Sequence, residues 1–254
     1  MKTKFNSTIC AACYSFGAAV CAGAVMLIAC NTQAQNLFVA NWDSDTIDEF
    51  TPGGAQNTFA SGLLPTGLAF NSAGDLFEAD YGSGQINEFT PGGAESTFAS
   101  GLSEPLGLAF NSAGNLFVGV YNGQIYEFTP GGVQSTFASG LSEATQLAFN
   151  SAGDLFVSDY HNGYIYEFTP GGAQSTFASG LTEPIGLAFN GAGDLFVAEY
   201  NGTIDEITPG GVRSTFASPP SLLPYALAFQ PVPEPSALGL LVVGATALLV
   251  RRRR

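Results

Sequence analysis

The sequence predicts an all-β protein, a five-bladed β-propeller of four-stranded blades with one-plus-three ring closure. A signal helix flanks it at the N-terminus and a transmembrane helix at the C-terminus. Three observations predict the ring. One motif of about 40 residues is written five times. Each copy holds four short apolar runs separated by turn residues. The array also starts and stops out of phase with its own repeat.

The repeat is read from fixed words. Leu-Phe begins at Leu37, Leu76, Leu116, Leu155 and Leu195. Leu-Ala-Phe begins at Leu68, Leu108, Leu147, Leu187 and Leu227, and Thr-Pro-Gly-Gly at Thr51, Thr90, Thr129, Thr169 and Thr208. In the third copy, Gly107 to Phe110 is the first strand. Asn111 to Gly114 supplies a turn, because Asn and Gly accept the backbone angles a tight reversal needs. The second strand starts at Asn115, Gln124 to Phe128 is the third, and Gln134 to Ala138 is the fourth, after the Thr129 to Gly132 turn. Four strands in about 40 residues make one propeller blade, which buries its apolar faces only by stacking in a ring.

The phase gives the closure. The array opens on a second strand at Leu37 to Ala40 and ends on a first strand at Tyr225 to Phe229. The last strand is therefore expected to complete the blade that the N-terminus begins. That pairing covers two edges that would otherwise invite aggregation.

Charge sorts the chain into three parts. Residues 36–230 carry 20 acidic residues and a single basic one, Arg213, while the other six bases lie at the two ends. Such a body repels phosphate backbones and excludes nucleic acid as a partner. All four cysteines, Cys10, Cys13, Cys21 and Cys30, precede residue 31, so the body has neither disulfide nor thiolate metal ligand.

Residues 1–35 read as a signal peptide: Lys2 and Lys4, an apolar stretch, then Thr32-Gln33-Ala34 as a site for signal peptidase. Leu27-Ile28-Ala29-Cys30 resembles a lipobox, which keeps lipidation of Cys30 as a competing reading. Residues 231–254 contain Pro233-Glu234-Pro235, an apolar run of 15 residues from Ser236 to Val250, and Arg251, Arg252, Arg253 and Arg254. As a helix this run reaches about 22 Å, short of a bilayer core of about 30 Å. The basic tail fixes its end on the cytoplasmic side. The order of parts resembles the PEP-CTERM sorting signal of Gram-negative bacteria. That resemblance implies processing by an exosortase-like membrane protease, a membrane association before processing, and a destination at the cell surface or extracellular matrix. A plain tail anchor is the competing reading.

Pro184 to Asn190, Gly193 to Glu199, Ile204 and Gly210-Gly211 together resemble the NHL-repeat family. They are also similar to streptogramin-lyase-like and gluconolactonase-like propellers, over residues 36–230. This group includes binding modules and enzymes, so fold does not decide activity.

No catalytic constellation is visible. The lone histidine, His161, occupies a turn position held by Asn122 and Asn201 in other copies, and the repeated serines have no base beside them. Glu49, Glu88, Glu127, Glu167 and Glu206 recur in every copy and read as structural. Asn41, Asp80, Val120, Asp159 and Glu199 each precede an aromatic residue, where a carboxylate ties down the following turn through backbone N–H groups. The alternative for this set is a rim of oxygen ligands for Ca²⁺. Departures from the repeat mark candidate ligand residues: Trp42, Asp43, Asp45, Glu78, Val120, His161 and Glu199. Glu78, Asp80, Asp159 and Glu199 come from one strand type, and are expected to form an acidic funnel at one mouth, with Ca²⁺ as the only candidate cofactor. The sequence thus favours a non-enzymatic surface module that binds exopolysaccharide or another surface protein. A metal-dependent lactonase- or lyase-like enzyme is the alternative.

Overall fold

The computed structural model describes residues 36–51 and 54–217. Those residues form a five-bladed, all-β propeller built from nineteen described strands, each antiparallel to its sheet neighbours. Blade 1 contains β1 (Leu37–Asn41), β2 (Thr46–Phe50) and β3 (Gln56–Ser61), with a 3-10 turn at Trp42–Ser44. Blade 2 contains β4 (Pro65–Phe70), β5 (Leu76–Asp80), β6 (Gln85–Phe89) and β7 (Glu95–Ala99). Blade 3 contains β8 (Pro105–Phe110), β9 (Leu116–Val120), β10 (Ile125–Phe128) and β11 (Gln134–Ala138). Blade 4 contains β12 (Ala144–Phe149), β13 (Leu155–Asp159), β14 (Tyr164–Phe168) and β15 (Gln174–Ala178). Blade 5 contains β16 (Pro184–Phe189), β17 (Leu195–Glu199), β18 (Ile204–Ile207) and β19 (Arg213–Ala217). The closing strand expected at Tyr225 to Phe229 lies outside the described residues, as do the signal segment and the C-terminal span with its arginines. Among the described residues no helix is long and apolar enough to cross a membrane.

The turns form as their residue types require. The side-chain oxygen of Asn71 accepts the N–H groups of Ala73 and Asp75, both at 2.9 Å, and Asn150 and Asn190 repeat the arrangement. At the other hairpin, the Thr90 hydroxyl accepts the Ala94 N–H at 3.2 Å, as Thr129 does from Val133. These bonds satisfy donors that the reversal leaves without a strand partner.

Blades adhere through phenylalanines. Phe77, Phe117 and Phe156, on second strands, each meet the fourth-strand phenylalanine of their own blade edge-on: Phe98, Phe137 and Phe177. Each also meets the first-strand phenylalanine of the next blade: Phe110, Phe149 and Phe189. Edge-to-face pairs add about 0.5–1.5 kcal/mol beyond area burial. Every residue of β5, β9, β13 and β17 is buried, so the second strands are the centre of each interface.

The first strands line the axis and touch backbone to backbone. A Cβ on Gly67 would fall 2.2 Å from the Leu106 carbonyl oxygen of the next blade, and one on Gly107 would fall 2.6 Å from that of Thr145. The Thr66 hydroxyl donates across the same seam to the Pro105 carbonyl at 2.8 Å. Register sets what the mouths contain. Pro65 pairs with Asp80, Pro105 with Val120, Ala144 with Asp159 and Pro184 with Glu199. The entries to the first strands therefore share one mouth with the turns between second and third strands.

Candidate functional site

At that shared mouth each second strand hands over to an aromatic residue: Trp42, Tyr81, Tyr121, Tyr160 and Tyr200. The backbone N–H of each tyrosine donates to the residue just before its blade's first strand. Tyr81 bonds to Leu64, Tyr121 to Glu104, Tyr160 to Glu143 and Tyr200 to Glu183, at 3.0 to 3.1 Å. The side chains of Glu104 and Glu183 turn toward the preceding blade. The Tyr81 hydroxyl donates to Glu104 and the Tyr160 hydroxyl to Glu183. Burial, reinforced by these acceptors, raises both phenols, Tyr160 to about 12. Both stay protonated donors at any physiological pH.

Two aromatic corners result. Trp42 and Tyr81 stand nearly perpendicular, at 74° with ring centres 5.2 Å apart. Tyr160 and Tyr200 do the same at 84° and 6.4 Å. Glu104 and Glu183 hold left-handed backbone angles, φ 50° and 49°, which side chains other than glycine enter at a cost of about 1–3 kcal/mol. Between the corners, Glu143 is nearly buried, and its carboxylate lies 3.1 Å from Nε2 of the exposed His161. Burial raises the Glu143 pKa; the histidine opposes that shift, while Asp159 and Glu104 add to it.

The first corner opens into a cleft of about 360 Å³ lined by Trp42, Leu64, Tyr81, Leu102 and Glu104, with Gly82–Gly84 and Ser103 supplying polar backbone and hydroxyl groups. A second cleft, about 430 Å³, lies at the opposite end beside Phe38, Phe70 and the Thr90–Gly93 turn.

The structure places the residues singled out by sequence in three different settings. Trp42 and His161 are exposed at the mouth, as a ligand site requires. Glu78, Asp80, Asp159 and Glu199 do not form an open funnel: their exposures are 0%, 7%, 0% and 1%. The reason is that three of them hold turns. Asp80 accepts the N–H groups of Gly82 and Leu64 and the Ser83 hydroxyl. Asp159 accepts from Ser142, Glu143 and Asn162, and Glu199 from Thr182 and Asn201. Val120, which lacks a carboxylate, closes its turn through backbone bonds to Gln124 and Gly123 alone. Glu78 sits between blades, where Asn87 donates to one carboxylate oxygen at 3.0 Å and the other has no partner.

Asp43 and Asp45 separate as well. Asp43 lies exposed on the 3-10 turn. Asp45 adopts φ 56°, the position that Gly84, Gly123, Gly163 and Gly202 fill in other blades, and its carbonyl accepts the Gly62 N–H at 2.9 Å. Its part is to reverse the chain. Among the described residues no three His, Cys, Asp or Glu side chains converge to hold a metal ion.

Sequence reasoning passed over Glu104, Glu143 and Glu183. The signal was present in the shared words Gly101-Leu102-Ser103-Glu104, Gly140-Leu141-Ser142-Glu143 and Gly180-Leu181-Thr182-Glu183. The side-chain partnership of Glu104 and Glu183 with tyrosines crosses from blade to blade, and a repeat compared only with itself hides it.

Fold and mouth together define a five-bladed propeller resembling lyase-type and NHL-type propellers. Virginiamycin B lyase from Staphylococcus aureus is similar at 17% identity and TM-score 0.65, covering 77% of this chain and 71% of the lyase. A candidate gluconolactonase gives 17% and 0.67, covering 78% of both chains. A chain of a nidogen/laminin complex gives 19% and 0.67, covering 72% of this chain and 76% of that one. These likenesses establish the fold alone. No curated protein matches this chain in sequence. Residues 231–254 match the PEP-CTERM protein-sorting motif, which marks an exported, cell-surface protein processed by exosortase.

Proposed function

We propose that this protein is a non-enzymatic binding module of the cell surface, and that its recognition face is the mouth carrying the aromatic corners. The observation that carries this reading is the convergence of Trp42, Tyr81, Tyr121, Tyr160 and Tyr200 with Glu104, Glu143 and Glu183 at one end of the ring. Exposed aromatic faces beside carboxylates suit glycan and surface-protein ligands, which offer apolar ring faces edged with polar groups. The sorting motif delivers such a face to where those ligands are. Asp80, Asp159 and Glu199 of this mouth hold turns, and Glu104, Glu143 and Glu183 are engaged by Tyr81, His161 and Tyr160, a placement that suits a rigid recognition face.

A metal-dependent lactonase- or lyase-like enzyme is the rival reading, and the His161–Glu143 pair is the one observation that favours it. Elemental analysis of the purified protein, a lactone and glycan-lyase turnover screen, and a glycan-array measurement separate the two. Saturable array binding without turnover is the expected result. A tightly held metal together with turnover that falls in His161→Ala overturns the binding-module reading.

A further inference from the structure

The corner between blades 1 and 2 differs from the rest of the mouth in what it leaves open. At the other corner, Tyr160 is flanked by His161 at 5.0 Å, so an imidazole already lies against its ring. Among the described residues the sole lysine or arginine is Arg213, which is committed to Glu199 and Asp205 in blade 5, away from Trp42 and Tyr81. The cleft therefore presents two perpendicular aromatic walls and a half-buried carboxylate, with no counter-cation among the described residues.

That combination has a defined complement. A cation over an aromatic face is attracted by the ring quadrupole, most strongly by Trp. A carboxylate at the cleft wall adds a charge-assisted hydrogen bond to any N–H it meets. The surrounding body of 20 acids and one base raises the local concentration of cationic ligands. Size narrows the class. A lysine side chain is a thin aliphatic chain and leaves most of 360 Å³ unfilled. A ring or pair of rings bearing an ammonium group matches that volume better.

Resting on the binding-module reading above, we propose that the Trp42–Tyr81–Glu104 cleft binds an amino sugar through its free ammonium group, with the sugar ring stacked on the indole. Trp42 is the chain's single tryptophan, so its fluorescence reports this cleft and no other part of the molecule.

The experiment titrates full-length protein in detergent with three probes at pH 6: the disaccharide of glucosamine, the same disaccharide N-acetylated, and a glucose disaccharide. The expected result is a saturable change in Trp42 emission with the amine form alone. Glu104→Gln then weakens it about tenfold or more, the usual effect of losing a hydrogen bond to a charged group. Trp42→Ala, read by calorimetry, abolishes the heat while circular dichroism keeps the wild-type strand signal. Equal affinity for all three sugars overturns the ammonium proposal and leaves the mouth a glycan-binding face. An unchanged affinity in Glu104→Gln overturns it too. No response to any sugar, with array ligands still retained by the mouth, refutes this cleft as the site while the binding-module reading stands.

Discussion

Blades 2 and 5 both bury acidic side chains on the face turned toward the preceding blade, and they treat that charge in different ways. In blade 5 the third strand contributes Asp205 and the second strand ends in Glu199, each 1% exposed. Arg213 on β19 reaches both, at 2.5 Å to Glu199, and also donates to the Gly180 carbonyl at 2.9 Å, fixing the linker from blade 4. In blade 2 the same fourth-strand position holds Glu95, the third strand has Asn87, and Glu78 replaces the valine of the other copies. Its carboxyl has one amide donor and no base. Burial drives the Glu78 pKa up to about 8; the Asn87 bond opposes that shift, while Asp80 and Glu95 add to it. Blade 5 thus sets one base between two buried carboxylates, while blade 2 keeps a protonated acid where blade 5 has Val197. A repeat keeps its fold through either device, provided the buried charge is removed by pairing or by a proton.

The largest effect is expected from Arg213→Ala. It strands Asp205 and Glu199 without a countercharge and should cost about 3–5 kcal/mol. Urea unfolding of the variant measures it, and a loss below about 1 kcal/mol would show that the triad contributes nothing net.

Glu78→Val should act in the opposite direction. The folded carboxyl binds its proton more tightly than the unfolded one. Its contribution is therefore complete below the unfolded value of 4.5 and drains away as pH rises through about 8. Wild-type stability should fall across that window, and the valine variant should lose the slope. At pH 8 the variant should exceed wild type by about 1–4 kcal/mol, the usual gain when a well-packed apolar side chain replaces a buried ionic group. Parallel stability curves from pH 5 to 9 for the two proteins would remove Glu78 as the titrating group.

The smallest change sharpens the comparison most. Glu95→Arg gives blade 2 the base of blade 5. It should lower the Glu78 pKa by about one unit, the effect of a nearby opposite charge, and shift the midpoint of the pH-dependent fall accordingly. An unmoved midpoint would mean that position 95 does not reach Glu78.

Much of this was legible in the sequence for a simple reason. Strand period and turn chemistry are local, and five copies vote on each boundary. The fourth strand, Gln134 to Ala138, falls where the repeat places it. The first strand begins two residues earlier than Gly107, at Pro105, because a bulge lets Pro105 pair with Val120 before regular pairing resumes at Leu108. The turn-tying carboxylates were also readable, since Asp80 bonds N–H groups two and three residues away. Their burial was not, because it depends on loops 16 or 17 residues distant, such as Leu64 over Asp80 and Ser142 over Asp159. Asp45 misled for a related reason. Its acidic type suggests a ligand, yet its position in the turn demands a left-handed angle that Asp tolerates better than most residues.

The glycine contacts at the axis bear on how such an array can change over generations. Repeats this alike invite unequal recombination, which adds or deletes a whole unit of coding sequence at once. A sixth blade would enlarge the circumference on which the first strands sit. The Leu106 carbonyl would withdraw from Gly67, and the Thr66 hydroxyl would lose the Pro105 carbonyl it now reaches. Where the axis is packed by backbone, as at Gly67, it has little with which to fill the gap. Copies are thus free to diverge at their mouths while their number stays fixed at the centre.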